Sequence, residues 1–186
     1  MMELTDQQRA ENREKIRELL KSVNRKNTHK LLYFLDHSGY YNLYGSFKHH
    51  VYKGGLAQHS LEVLDYALKH NENCNRDSII IVALLHDICK TKYEFPEGVE
   101  FVGHGRKSVD ILEQFIQYEL TYEEKYTIRF HMGRPHSALT DEEKEAYEKI
   151  TATELWNLIH VGDCLSAGNY HEPTKGIVGK IINILC

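Results

Sequence analysis

Four histidines and two aspartates follow one another along the chain as His59, the adjacent pair His86-Asp87, His104, His131 and Asp163. Imidazole combined with carboxylate suits a first-row transition metal such as iron, manganese, zinc or nickel. Six ligands of this kind, with one aspartate able to bridge, are enough for two ions. The pattern points to an enzyme with a dinuclear metal centre.

Taken singly, the six residues differ in what they say. Asp87 follows seven apolar residues, Ile79 to Leu85, and His86. A carboxylate there is costly to bury unless it is paired or metal-bound, the alternative being a helix end in solvent. His59 lies on an apolar helical stripe with Leu56 and Val63, where a lone histidine is more often a core residue. Asp163 shares a face with Trp156, Ile159 and His160, and again asks for a partner. His104, between Gly103 and Gly105, reads alone as a helix N-terminal residue facing solvent. His131, ending a helix, reads alone as a complement to the helix dipole. The joint order carries more than any member.

The elements that must position these residues read as helices. The three prolines, Pro96, Pro135 and Pro173, all fall in expected loops. Thr5 caps a first helix running to about Val23, and a second covers about Lys26 to Asp36. Residues 38–55 are irregular, and a helix follows over about Leu56 to Asn71. The apolar run within Arg76 to Lys90 fits strand or helix by pattern, but its length past the His-Asp pair favours helix. A loop with a small hairpin around Pro96 comes next. Helices then cover about Gly105 to Glu119, Tyr122 to Met132 and Asp141 to Ala167, the last with a break near Thr151. The apolar tail Ile177 to Leu185 is expected to dock as a short helix.

Composition sets the frame. The chain has 186 residues, 41% hydrophobic and 27% charged, with net charge -4. This fits one soluble domain over 1–186 with its core at about 49–169 and N-terminal helices within 1–37. No positive field is present to attract long nucleic acid or an anionic membrane. No run reaches the ~18 apolar residues that a membrane span needs. The N-terminal residues carry no apolar secretory segment, and Cys74, Cys89, Cys164 and Cys186 show no CxxC pair. Reduced thiols and a cytoplasmic location are expected.

Two stretches carry a family resemblance. HHVYKGGLAQHSLEVL (His49 to Leu64) resembles the first-ligand segment of bacterial HD domains, including those attached to 3′–5′ exoribonucleases. ALLHDICK (Ala83 to Lys90) resembles the HDxxK segment of the HD superfamily of metal-dependent phosphohydrolases, and GHGRKSV and RFHMG match two further ligand positions. The resemblance implies an all-α HD-domain helical bundle with a central metal-binding cleft. It implies one metal on His59, His86, Asp87 and Asp163, with Asp87 bridging to a second on His104 and His131. It also implies two divalent ions ~3.5–4 Å apart that share a hydroxide able to attack phosphorus.

Such a site needs cations that touch phosphate without binding metal. Lys90, one turn after His86, is the first choice, and the resemblance places a lysine there. Lys53, Arg106, Lys107 and Arg134 are further candidates, each also readable as plain surface charge. His50, Tyr52 and His136 are candidates to line the substrate pocket. His160 reads equally as an orienter of Asp163 or as a core histidine, and Tyr40, Tyr41 and Tyr44 read first as core packing, with stacking on a base as the alternative. The leading expectation is a phosphomonoesterase or phosphodiesterase acting on a nucleotide or other small phosphate ester. A di-iron oxygenase of the same superfamily and a non-catalytic ligand-binding module are the alternatives.

Overall fold

A computed structural model describes residues 3–91, 103–133 and 139–168. Within them the chain forms eight α-helices and no strand. The expected hairpin around Pro96 and the tail Ile177 to Leu185 lie outside the described residues, as do Arg134 and His136. No helix among the described residues is long and apolar enough to cross a membrane.

Sequence signals mark most of the helix starts. Helix α1 (Asp6–Ser22) begins at Thr5, whose hydroxyl accepts from Gln8 N while Gln8 returns a bond to Thr5 N. The same reciprocal cap opens α6 (Tyr122–Phe130) with Thr121 and Glu124, and α7 (Asp141–Thr151) with Thr140 and Glu143. Each such cap satisfies two N–H groups that a helix start otherwise leaves unpaired. Asn75 caps α4 (Arg76–Leu85) and Thr153 caps α8 (Glu154–Ser166). The break between α7 and α8, at Ala152 and Thr153, falls where the sequence anticipates it. Helices α2 (Thr28–His37) and α3 (Gly55–His70) also match their expected spans closely.

Two expectations need correction. The helix through the His-Asp pair stops at Leu85. Asp87 leaves it with φ -106 and ψ 17, and a single 3-10 turn, Ile88–Lys90, follows. The helix expected over Gly105 to Glu119 starts at His104 as α5 (His104–Asp110). It widens into π-type turns over Ile111–Ile116 and ends on left-handed Gln117.

The core lies around α4. Residues Ile79 through Leu85 are all fully buried, on every side of the helix. That explains the continuous apolar run: burying each large aliphatic chain contributes roughly 1.5–3 kcal/mol, so no polar face survives. Helix α3 packs against both α4 and α8, while α5 packs on α6 and on the turn after Asp87. Tyr40 and Tyr41 join the core, and Tyr40 donates to Leu84 O at 2.6 Å. Tyr44 departs from the core reading, being mostly exposed.

Two glycines set the helix approaches that matter here. A Cβ on Gly162 would lie 3.1 Å from Tyr66 and 3.3 Å from Val63 O, so α8 seats closely on α3. A Cβ on Gly105 would lie 2.3 Å from Arg129 O and 2.5 Å from Ile128 O, so α5 meets the backbone of α6.

Cys74 and Cys89 are free thiols, as expected, and Cys186 lies outside the described residues.

Candidate metal centre

Five of the six expected ligands converge, from four different elements. His59 comes from α3, His86 and Asp87 from the turn ending α4, His131 from the end of α6, and Asp163 from α8. All five are buried. His59 Nε2 is 3.0 Å from Asp163 Oδ1 and 3.3 Å from His86 Nε2. Asp87 divides its oxygens: Oδ2 lies 3.6 Å from His86 Nε2 and 3.8 Å from His59 Nε2, while Oδ1 lies 3.7 Å from His131 Nε2.

The backbone fixes the proton positions of these rings. His86 Nδ1 faces Ala83 O at 2.9 Å, and His131 Nδ1 faces Ile128 O at 2.8 Å. A carbonyl only accepts, so both Nδ1 atoms carry the hydrogen and, in the neutral rings, both Nε2 atoms carry a lone pair. Those lone pairs point at carboxylate oxygens, which are also acceptors. His131 Nε2 is buried with no hydrogen-bond partner at all. An unpaired acceptor buried among other acceptors is costly. A divalent cation resolves every one of these contacts, and nitrogen with carboxylate oxygen is the donor set that first-row metals take. The residues present therefore fit a metal, and the groups His59, His86, Asp87 and His86, His131, Asp163 could hold one.

Burial and charge keep the ligands in the forms a metal needs. Desolvation lowers the His86 pKa to about 4, with nearby His131 and His59 acting in the same direction. Burial alone would raise both aspartates. Around Asp87 this is outweighed by His86, Lys90 and His131, which hold its carboxyl well below the usual range. The bond with His59 and the neighbouring imidazoles hold Asp163 near 2. Lys90 Nζ pairs directly with Asp87 Oδ2.

Surrounding contacts brace the ligands. Ser108 on α5 donates to His86 O at 2.6 Å and accepts from Cys89 N at 3.3 Å, so α5 clamps the His-Asp turn. His160 stacks on Trp156, and its Nδ1 donates to His131 O at 2.6 Å. It therefore supports His131 rather than Asp163, while also packing in the core.

Other expected residues sit elsewhere. His104 is exposed at the start of α5, its Nδ1 3.8 Å from Cys89 Sγ, and joins no cluster of possible ligands among the described residues. Arg106 is exposed and Lys107 half-buried on the same helix. Lys53 is exposed and lines a polar cavity with Arg9, Arg13, Arg17 and Asp36. Only Lys90 among the expected cations of the described residues has a bond to a ligand in the cluster.

The structure adds two residues that sequence reasoning did not assign. His49 forms a possible ligand group with His50 and His59, its ring centroid 5.0 Å from that of His59. Burial, then His59 and Lys90, lowers its pKa to about 4. The loop holding it is tightly built: His50 takes a left-handed φ of 51, and a Cβ on Gly55 would lie 2.1 Å from His50 O. The adjacent His49-His50 pair, closed by Gly54-Gly55, was the available signal. Glu62 is the second, and its sequence position gives no hint beyond a polar gap in the apolar face of α3.

Comparison with curated proteins and with solved structures gives no significant match. A family model for the HD domain matches residues 56–155, more than half of the chain. The match spans His59, His86-Asp87, His104 and His131 and stops short of Asp163. It begins at Leu56, so it carries no likeness to exoribonucleases in particular. By this match the chain belongs to the HD domain family.

Proposed function

We propose that this chain is a metal-dependent phosphohydrolase, a phosphomonoesterase or phosphodiesterase acting on a nucleotide or another small phosphate ester. The HD family is in general one of metal-dependent phosphohydrolases. The observation that carries the reading is the set of buried imidazole lone pairs aimed at the two aspartates, completed by Lys90 at the edge of the cluster. In this reading His59, His86, Asp87 and Asp163 hold one divalent ion. Asp87 would be shared with a second ion that His131 would help to hold, and His104 is the proposed sixth ligand. Bound metal supplies Lewis acidity toward phosphoryl oxygen and lowers the pKa of water.

The chain's own residues do the rest. Backbone carbonyls hold the Nδ1 hydrogens of His86 and His131, so their Nε2 atoms need no rearrangement before binding. Asp87 and Asp163 stay ionised at neutral pH and contribute two negative charges to the cradle. Lys90, 23% exposed on its side chain, reaches both Asp87 and solvent. It is the group placed to exchange its carboxylate for a phosphate oxygen, a charge-assisted bond of the strong kind. Arg106, Lys107 and Lys53 are secondary candidates, held for contacts with the far part of a larger substrate.

The test is phosphate release from a panel of nucleoside monophosphates, and nitrophenol release from bis(p-nitrophenyl) phosphate. Each is run with manganese, zinc, nickel or iron, the last also under nitrogen. Metal-dependent turnover that persists without oxygen is expected. Absence of turnover with every metal, or activity that requires oxygen, would sink the proposal.

A further inference from the structure

His59 is the one buried histidine of the cluster whose Nδ1 does not face a backbone carbonyl. Its partner is Ser166 Oγ, at 2.9 Å. A hydroxyl can donate or accept, so this contact alone leaves the His59 proton undecided. The next contact decides it. Ser166 Oγ lies 2.7 Å from Glu62 Oε2, and a carboxylate only accepts, so the single hydroxyl hydrogen of Ser166 is committed to Glu62. Ser166 must then accept from His59 Nδ1–H, and Nε2, 3.0 Å from Asp163 Oδ1, is left as the nitrogen that gives up its hydrogen when a metal binds.

Glu62 is fixed for this role. Its Oε2 also lies 3.0 Å from His50 Nε2, and its Oε1 accepts from Gln58 Nε2 at 2.9 Å. Gln58 is in turn oriented by Asn12, which donates to its Oε1 at 2.9 Å. Hydrogen bonds from His50, Gln58 and Ser166 outweigh the effect of burial and hold the Glu62 carboxyl near 2, so it is anionic at any working pH. The relay also ties α3, which carries His59 and Glu62, to the last turn of α8, three residues past Asp163.

We propose that Glu62, acting through Ser166, is a positioning residue that places the His59 proton on Nδ1 and so keeps Nε2 available to metal. The inference rests on the metal-centre reading above, but its first readout does not require metal. Outer hydrogen bonds of this type commonly change metal affinity by about 10–100-fold.

Two substitutions separate the role from simple packing. Ser166→Ala cuts only the His59 branch and leaves the Glu62 contacts to His50 and Gln58 intact. Glu62→Gln reverses the relay. Gln58 still needs an acceptor, so the new amide oxygen stays at the Oε1 position and its NH2 takes the place of Oε2. That NH2 donates to Ser166, Ser166 turns its hydrogen toward His59 Nδ1, and the ring proton moves to Nε2, against Asp163.

The experiment is long-range 1H–15N NMR of the histidine rings in metal-free protein, with Mn2+ and Zn2+ dissociation constants by competition against a chelating dye. His59 in wild type should carry a hydrogen on Nδ1. Glu62→Gln should switch it to Nε2–H, Ser166→Ala should leave it mixed, and Ser166→Thr should restore the wild-type pattern. Metal binding should weaken about 10–100-fold in the first two and recover in the third. An unchanged His59 tautomer in Glu62→Gln, or wild-type affinity in both Glu62→Gln and Ser166→Ala, would overturn the relay while leaving the metal centre standing. A wild-type protein that binds no metal would instead remove the proposed function, with the tautomer result still deciding the relay.

Discussion

Gly105→Ala sets two effects of opposite sign against each other. Alanine is favoured over glycine in a helix by about 1 kcal/mol, so propensity alone expects a more stable protein. The structure expects the reverse. The new methyl would stand 2.3 Å from Arg129 O and 2.5 Å from Ile128 O, both backbone atoms that cannot rotate away. Ordinary contact begins at 3.4 Å, so α5 must withdraw from α6 by about 1 Å, the difference of 3.4 and 2.3. Overpacking of this kind costs about 1–3 kcal/mol, or more where only backbone can yield. The clash should win, giving a net loss of up to about 2 kcal/mol, which corresponds to a fall in Tm of several degrees at ~2–4 °C per kcal/mol. The same shift moves Ser108 away from His86 O, and strains the turn in which Ile128 O holds His131 Nδ1. Thermal unfolding by circular dichroism and metal titration measure both consequences. Gly162→Ala is the internal comparison: its closest contacts are 3.1 and 3.3 Å, so a smaller loss is expected. A Tm for Gly105→Ala equal to or above wild type, with metal affinity intact, would refute the argument that this glycine sets the approach of α5.

Asp87→Ala should remove the oxygens that face three imidazoles and so abolish metal binding. The stabilisation by Mn2+ at a hundredfold excess over Kd, ~2.7 kcal/mol or roughly 5–11 °C in Tm, should vanish; a persisting shift would argue against the bridging role. Lys90→Ala should keep full metal content but lower kcat/KM on phosphate esters about 10–100-fold, the worth of one hydrogen bond to a charged group; unchanged turnover would remove Lys90 from the site. In metal-free protein, His86 is held near pKa 4 against an ordinary 6.5, so the unfolded chain takes up its proton first as pH falls. Its contribution is present above pH 6.5 and is lost as pH falls toward 4, by up to about 3 kcal/mol at ~1.4 kcal/mol per unit. Urea unfolding at pH 7, 5.5 and 4.5 measures this, and a flat profile would contradict it.

Much of this arrangement was legible from residue types and spacing. Thr5, Thr121 and Thr140 announce helix starts because their hydroxyls satisfy free N–H groups, and Gln8, Glu124 and Glu143 three residues on confirm them. The run Ile79 to Leu85 is apolar on all sides because α4 is enclosed on all sides. Asp87 stood out for the same reason, as a carboxylate placed where nothing else was polar. What the sequence did not yield depends on contacts between distant segments. Ser166 and Glu62 are 104 residues apart, and neither belongs to a pattern until α3 and α8 pack together. Equally, His104 fits the family order, yet it starts α5 as an exposed residue, with its ring nitrogen beside Cys89 and outside the ligand cluster. The end of α4 at Leu85 is likewise set by the site, because an uninterrupted helix would carry the Asp87 carboxylate away from His59 and Asp163.

The most direct test of the metal centre is elemental analysis of protein purified without chelator or nickel affinity, before and after reloading with manganese, zinc, nickel or iron. Near two equivalents of a first-row metal are expected. One equivalent would remove the second ion and the parts assigned to His104 and His131. No bound metal after reloading would contradict the reading of the buried imidazole lone pairs on which the account depends.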